Sequence, residues 1–142
     1  MVAPKSSTQP LLLPMPDPCT DRTMIIIIRR VGGHGTRDAQ ASMLALRHFG
    51  QSFRQILVLA RCYITEIAHA SQRNIMIANC CAPKMTRDEA LLLETIALSQ
   101  KHPDRTARNL SELTAGGAGQ RVATVARALN NALENHGFRL QG

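Results

Sequence analysis

The sequence predicts an all-α protein, a small bundle of five to six helices behind a disordered, proline-rich N-terminal tail. Three observations predict this fold class. Aromatic residues make up 3% of the 142 residues and tryptophan is absent, which favours an aliphatic core between closely packed helices over a β-sandwich. Residues 38–48 and 120–132 are rich in alanine, the best helix former and a residue depleted in strands. Apolar residues also recur at helical spacing in several long segments.

Residues 1–20 are predicted to form the tail, because they contain five of the seven prolines. Proline cannot continue a helix and has no N–H to donate to a sheet, and the residues between these prolines are largely polar. Residues 21–142 are then predicted to form a single helical domain, a length that suits one hydrophobic core.

The run Met24–Ile28 contains four consecutive isoleucines. Such a run fits either a buried strand or a buried helix, and periodicity cannot separate the two. We predict a short helix, because residues 75–79 are the only other candidate for a strand partner. Thr20 or Asp21 can cap this helix, and Gly32-Gly33 should end it.

The segment Gly32–Gly35 is predicted to be a tight turn between helices. It is only a weak candidate for a phosphate-binding loop, because it matches neither Gly-x-Gly-x-x-Gly nor the Walker sequence. Thr36 should then cap a second helix that runs to about His48, with Asp38 in its first turn.

A third helix is predicted over residues 52–70 and should be the centre of the bundle. Its main apolar stripe follows the i, i+3, i+4, i+7 spacing and comprises Phe53, Ile56, Leu57, Ala60, Ile64 and Ile67. A second apolar face comprises Val58, Leu59, Cys62 and Tyr63. Cys62 is therefore expected to be a small core residue.

The segment Thr86-Arg87-Asp88-Glu89 matches a capping box, in which the threonine and glutamate side chains bond to each other's backbone N–H groups. It should start a fourth helix that runs to about Lys101. Pro83 predicts an extended connector over residues 80–85. Two further helices are predicted at about residues 104–113 and 120–136, and Gly137 is a natural stop for the last one.

The net charge of +7 is concentrated in the first half of the chain, where residues 21–74 carry eight arginines against three acidic residues. This charge predicts an anionic partner, although a solvated arginine surface is the simpler interpretation. We expect a helical interaction or regulatory module with an arginine-rich surface for an acidic protein partner. Nucleic acid is not favoured, because aromatic residues that could stack on bases are scarce. The candidate partner-binding residues are Arg29, Arg30, Arg37, Arg54 and Arg61.

The adjacent pair Cys80-Cys81 is the alternative centre of function, in a thiol- or metal-dependent protein. Positive charge and a following helix start can lower the pKa of a thiol, and His34 is a candidate third ligand. Neighbouring side chains on an extended chain point apart, however, and the Cys-x2–4-Cys spacing of zinc sites is missing. One core cysteine and one incidental cysteine is the simpler interpretation. No catalytic motif is found and no cofactor is predicted, so an enzyme is not the favoured class.

No stretch of the sequence suits a membrane span, since Met24–Ile28 is far shorter than the roughly 20 apolar residues that a spanning helix needs. The leucine triplet at residues 11–13 is cut off by proline, unlike the apolar core of a signal peptide. We therefore expect a cytoplasmic protein with reduced cysteines and no membrane partner.

Three groups of residues resemble a known family. They are Arg29-Arg30-x-Gly-x-His34-Gly35-x-x-Asp38-Ala39, Phe49-Gly50-x-x-Phe53-Arg54-x-x-Leu57-Val58-Leu59 and Cys80-Cys81-x-x-x-Met85-Thr86-x-x-Glu89. Together they are similar to a small bacterial family of all-helical proteins known only as a domain of unknown function. The resemblance runs from about residue 22 to 135 and omits the tail. It implies a helical fold and a bacterial cytoplasmic setting, and no activity, ligand or partner.

Overall fold

Helices dominate the computed structural model of the protein, which describes residues 13–17, 19–117 and 119–141. The six α-helices within these ranges are α1 (Thr20–His34), α2 (Ala39–Phe49), α3 (Phe53–Ala70), α4 (Arg87–Leu98), α5 (Pro103–Thr114) and α6 (Gln120–Asn135). Two short strands, β1 (Leu13–Pro14) and β2 (Lys84–Met85), pair antiparallel. The predicted all-α fold class is confirmed.

The core is one cluster of buried aliphatic residues to which all six helices contribute. Helix α3 packs against α1, α2 and α6, while α4 packs against α5 and α6. The one tyrosine, Tyr63 of α3, is fully buried, and its hydroxyl donates a hydrogen bond of 2.8 Å to the carbonyl oxygen of Leu92 in α4. The central position predicted for α3 is confirmed.

The isoleucine run forms a helix and not a strand, as predicted. Met24, Ile25, Ile27 and Ile28 are all fully buried. The predicted end was wrong, because α1 continues through both glycines to His34. It ends at Gly35, where φ is 100°, a left-handed conformation that glycine adopts without a steric penalty.

Both predicted caps of α1 and the predicted cap of α2 were also wrong. Thr20 and Asp21 lie inside α1, because their side chains have tertiary partners. The Thr20 hydroxyl lies 3.1 Å from Nε2 of His48, and the Asp21 carboxylate accepts the backbone N–H of Gln141. Asp38, and not Thr36, caps α2.

The prediction of a second apolar face on α3 was wrong at two positions. Val58 is 53% exposed and Cys62 is exposed, because no other helix of the described structure covers this side of α3. The main stripe behaves as expected, with Ile56, Leu57 and Ile67 in the core. The capping box is confirmed, although α4 ends at Leu98 and not at Lys101.

Residues 13–17 of the predicted tail have a place in the fold. Leu13 and Pro14 pair with Met85 and Lys84, and Met15 packs against the core. Residues 1–12 and 18 lie outside the described residues, so the division of the chain at residue 20 stays a prediction.

Candidate functional site

Glu89 of α4 is the centre of a buried polar network. Its carboxylate accepts the backbone N–H of Thr86 at 2.9 Å, which completes the capping box. It also accepts the backbone N–H of Ala78 at 3.1 Å and pairs with Arg29 of α1 at 2.7 Å. Both charged side chains are almost fully buried, and such a pair is stable only when its remaining polar atoms are hydrogen-bonded.

Arg29 meets that condition. Besides Glu89, its guanidinium donates to the carbonyl oxygens of Ala82 at 3.0 Å and Lys84 at 2.9 Å. The terminal nitrogen that donates to Lys84 and to Glu89 also lies 3.5 Å from Sδ of Met15. Arg29 therefore differs from the expected surface residue for an acidic partner, because its donors are directed at groups inside the fold. It holds the cysteine-containing connector against α1.

The connector bends at the cysteines, which corrects the prediction of an extended segment. The N–H of Ala82 donates to the carbonyl oxygen of Asn79 at 3.0 Å, so Cys80 and Cys81 occupy the middle of a turn. Side chains that would point apart on an extended chain instead place their Sγ atoms 3.5 Å from each other. Cys81 is exposed and Cys80 is half-buried.

Arg30 lies between Asp38 and the cysteine turn. Its guanidinium makes a two-pronged ion pair with the Asp38 carboxylate, with distances of 2.9 Å and 2.8 Å. This pair raises the pKa of Arg30 and lowers that of Asp38, and a hydrogen bond with Cys80 raises the pKa of Arg30 further.

The pKa values of the two thiols are shifted in opposite directions. The hydrogen bond between the sulfurs lowers the pKa of Cys80 and raises that of Cys81, and the hydrogen bond with Arg30 lowers the pKa of Cys80 further. The lower pKa makes Cys80 the thiol of the pair that forms a thiolate more readily. Thiolate is the reactive form of cysteine.

A groove of about 490 Å³, called here the α2 groove, opens beside this pair. It is lined by Ile26 and Arg30 of α1, by Gln40, Met43, Leu44 and Arg47 of α2, and by Cys80 and Cys81. Its lining thus combines apolar side chains, two arginines and two thiols.

A second groove, of about 420 Å³, runs between α5 and α6. Its lining is made mostly of small and hydroxyl-bearing side chains, and Arg127 is its one charged member. None of its described lining residues carries a thiol, carboxylate or imidazole, so it offers less chemistry than the α2 groove.

The remaining candidate residues are scattered. Arg37 and Arg54 are exposed, and the guanidinium carbon of Arg54 lies 5.8 Å from the ring centroid of Phe53. Arg61 is half-buried and donates to the Ser42 hydroxyl at 3.0 Å. His34 is exposed at the end of α1.

The histidine predicted as a third ligand does not join the two cysteines in a metal site. Within the described part of the chain, no group of three or more His, Cys, Asp or Glu side chains is placed to hold a metal ion. No helix in the same part is long and apolar enough to cross a membrane.

Comparison with known families gives one match. A profile described as a family of unknown function, DUF6628, matches residues 1–140. The chain belongs to this family. Membership in DUF6628 confirms the resemblance to a family of unknown function, and the match extends beyond the expected residues 22–135 into the N-terminal segment. No curated protein and no solved structure matches the chain.

Sequence reasoning missed two features of this DUF6628 site. One is the pairing of Arg29 with Glu89, which are 60 residues apart. The other is the α2 groove, which forms only when α1, α2 and the cysteine turn meet. The signal available in the sequence was the Asn79–Pro83 segment, whose asparagine and proline are turn formers.

Proposed function

We propose that the protein is a helical interaction module whose α2 groove binds an acidic amphipathic helix of a partner protein. The observation that carries this proposal is the exposed Met43, which lies in the groove together with Arg30 and Arg47. Met43 is 59% exposed and lines the groove together with Ile26 and Leu44. Apolar side chains grouped at a surface, unlike a single exposed one, mark an interaction site.

The chemistry of the groove suits such a helix. Methionine is flexible and polarisable, and it is used often at surfaces that accommodate helical ligands. A helix docked in a groove places apolar residues at i, i+3, i+4 and i+7 against the floor. Ile26 and Leu44 are half-buried and supply that floor beside Met43.

The charge around the groove selects an acidic ligand. Arg47 lines the groove and is exposed, and it forms no ion pair with another described residue. Arg30, the second arginine of the groove, is paired with Asp38. Arginine is well suited to carboxylate ligands, because its planar guanidinium can donate two parallel hydrogen bonds. Glutamate or aspartate beside the apolar stripe of the partner would complement these cations.

The location of this module in the bacterial cytoplasm is part of the same proposal. All four cysteines are free thiols and three of them are exposed. That usage suits a reducing compartment, where disulfides are rare.

The test uses two model helices that share one apolar stripe and differ only in their flanking charges, glutamate in one and lysine in the other. Binding to the full chain is measured by fluorescence anisotropy. We expect saturable binding of the glutamate peptide alone, weakening with salt. Met43→Asp and Arg47→Glu should each reduce the affinity. Arg121→Glu is the matched control, because Arg121 is exposed on α6 and does not line the groove.

Three outcomes contradict the proposal. They are no saturable binding of the glutamate peptide, equal binding of the lysine peptide, and equal loss of affinity in the Arg121→Glu control. A nucleic-acid function is tested in parallel with duplex DNA. The affinity of a protein that contacts the phosphates falls steeply with rising salt, because binding releases counterions from the DNA. The partner would be a nucleic acid and not an acidic protein if the protein binds DNA, the glutamate peptide does not displace that DNA, and Arg47→Glu abolishes the DNA binding.

A further inference from the structure

We infer that Cys80 and Cys81 form a reversible dithiol–disulfide site that is oxidised by hydroperoxides, with Cys80 as the attacking thiolate and Cys81 as the resolving thiol. The inference concerns the isolated chain and does not depend on a docked partner. Three features of the structure carry it: the turn geometry, the position of Arg30 and the opening of the site to solvent.

The turn brings the two sulfurs to contact. Their Sγ atoms are 3.5 Å apart, whereas a disulfide bond measures about 2.05 Å. The remaining approach of about 1.5 Å requires rotation of the two side chains together with distortion of the backbone between them. No movement of a helix is needed, because both residues belong to the same connector.

Hydrogen bonds on both sides of the turn hold the two sulfurs near each other. Arg29 donates to the carbonyl oxygen of Ala82 on the C-terminal side of the pair, and the N–H of Ala78 on the N-terminal side is bound by Glu89. A fixed turn lowers the entropic cost of bringing two groups into reacting geometry. The buried pair of Arg29 and Glu89 therefore favours the reaction between the two thiols, because it fixes the turn that carries them.

The charge distribution assigns a different role to each thiol. Arg30 and Cys80 line the same groove, and the positive charge of Arg30 favours the thiolate of Cys80, with the Cys81 sulfur 3.5 Å away. A thiolate beside an arginine, open to solvent and next to a second thiol, is the arrangement of a redox-sensitive cysteine. Both sulfurs line the open α2 groove, so a small hydroperoxide can reach them.

The reaction balances in two steps. The Cys80 thiolate attacks the peroxide, so that a sulfur–oxygen bond forms, the oxygen–oxygen bond breaks, and the departing alkoxide or hydroxide takes up a proton. The sulfur of Cys81 then attacks the sulfenic acid on Cys80. A sulfur–sulfur bond forms, and the sulfenic hydroxyl leaves as water with the proton of Cys81. The dithiol loses two electrons and the hydroperoxide gains them.

The disulfide formed in this way should be readily reduced. Adjacent Cα atoms are about 3.8 Å apart across a trans peptide, which is shorter than the roughly 4.4–6.8 Å usual between bridged cysteines. Strained and exposed disulfides are the labile ones. Small thiols of the cell could therefore return the site to its dithiol form.

The test begins with a Cys19→Ser/Cys62→Ser protein, which removes the other two thiols. The protein is treated with one equivalent of hydrogen peroxide, alkylated with iodoacetamide and digested with trypsin. Cleavage after Arg73 and Lys84 releases residues 74–84, which contain both remaining cysteines. We expect this peptide to be unalkylated and lighter by two hydrogen atoms. Reduction with dithiothreitol before alkylation should restore two alkylated cysteines.

Single variants separate the roles of the two sulfurs. Cys81→Ser should accumulate a sulfenic acid on Cys80 that dimedone traps, whereas Cys80→Ser should consume peroxide several-fold more slowly. In urea the unfolded variants have neither the turn nor the nearby Arg30, so Cys80→Ser and Cys81→Ser should consume peroxide at similar rates. Arg30→Met should slow the reaction of Cys80 with peroxide, and Arg47→Met should not, because Arg47 lines the same groove but is not among the groups that lower the pKa of Cys80. Circular dichroism confirms that each variant is folded.

The inference is overturned if the peptide remains doubly alkylated, if each cysteine is oxidised independently to a sulfinic acid, or if disulfides form only between chains. Equal peroxide rates for Cys80→Ser and Cys81→Ser in the folded state would also overturn it. These results leave the docking proposal untouched, because no peptide is present in the experiment. The absence of peptide binding likewise leaves the redox site untouched.

Discussion

At the scale of single residues, Glu89 combines two tasks that are usually separate. It closes the capping box of α4 and it neutralises the buried Arg29. Four donors converge on its two oxygens, namely two from Arg29 and the backbone N–H groups of Ala78 and Thr86. The loss of this carboxylate would leave Arg29 as an uncompensated buried cation.

Glu89→Gln should therefore lower the free energy of unfolding by about 3–5 kcal/mol. The matched control is Glu112→Gln, whose ion pair with Arg87 is exposed at both ends and is worth less than about 1 kcal/mol. Urea denaturation of the two variants measures the difference. If both variants lost the same amount, the Arg29–Glu89 pair would not be the buried network described here.

His48 gives the protein a pH dependence. Burial lowers the pKa of its imidazole below the ordinary value of 6.5, while its ring nitrogens lie 3.1 Å and 3.2 Å from the hydroxyls of Thr20 and Thr23. Below this ordinary value the unfolded chain binds the proton more readily than the folded chain does. Stability should therefore fall as the pH decreases through about 6.5 and below.

The measurement is urea denaturation at about pH 7.5 and about pH 5.5, on either side of the ordinary histidine range, for the wild type and for His48→Gln. The wild type should lose more stability between the two pH values than the variant does. Equal losses would show that the pH dependence arises from other groups.

At the scale of elements, the start of α4 joins two parts of the chain. The hydroxyl of Thr86 accepts the N–H of Glu89 at 3.1 Å and donates to the carbonyl oxygen of Met76 at 2.8 Å. Thr86→Ala removes both bonds at a fully buried site and should cost about 2 kcal/mol. Thr86→Ser keeps the hydroxyl and should cost clearly less in the same chemical denaturation experiment. An equal loss in both variants would mean that packing of the methyl group matters, and not the cap.

The approach of α3 to the loop before α6 depends on Gly117. A Cβ atom at this position would overlap the carbonyl oxygen of Ala70, the last residue of α3, whereas a Cβ at Gly119 would meet the Leu110 side chain at 3.3 Å. A side chain can move more easily than a helix terminus.

Gly117→Ala should therefore destabilise the fold by about 1–3 kcal/mol, the usual cost of overpacking, and Gly119→Ala should cost less. Thermal denaturation followed by circular dichroism measures both variants. A greater loss for Gly119→Ala would contradict the close approach described here.

At the scale of the whole molecule, stability should come from the core and not from the cysteines. Leu57 of α3 is buried in the core, and Leu57→Ala should cost about 2–5 kcal/mol. Cys80→Ser with Cys81→Ser should cost much less, because both side chains lie on an accessible turn that Arg29 and Glu89 hold through the backbone. Chemical denaturation gives the order of the two losses.

A structural metal on the cysteines would reverse that order, since removing its ligands removes folding energy directly. Elemental analysis of the purified wild type completes the measurement. Stoichiometric zinc or iron together with an unfolded double serine variant would overturn the order predicted here and support the metal-dependent alternative.

Local patterns were enough to predict the helical class, the capping box and the course of α3. Each depends on interactions within a few residues: the spacing of apolar side chains, the reach of Thr86 to Glu89, and the propensity of alanine. The same local reasoning failed at helix ends where a tertiary partner competes. Asp38 became the cap of α2 in place of Thr36, and its carboxylate also binds Arg30.

The sequence by itself determined that this chain forms helices around an aliphatic core and that its first half is basic. The tertiary structure alone decided which arginine is buried in the core and which lies at the groove. Arg29 and Arg30 are neighbours with identical chemistry, yet one faces Glu89 inside the fold and the other faces Asp38 and Cys80 beside the groove. Successive helical residues point about 100° apart, so the packing of α1 against α2 and α4 assigns them to different environments.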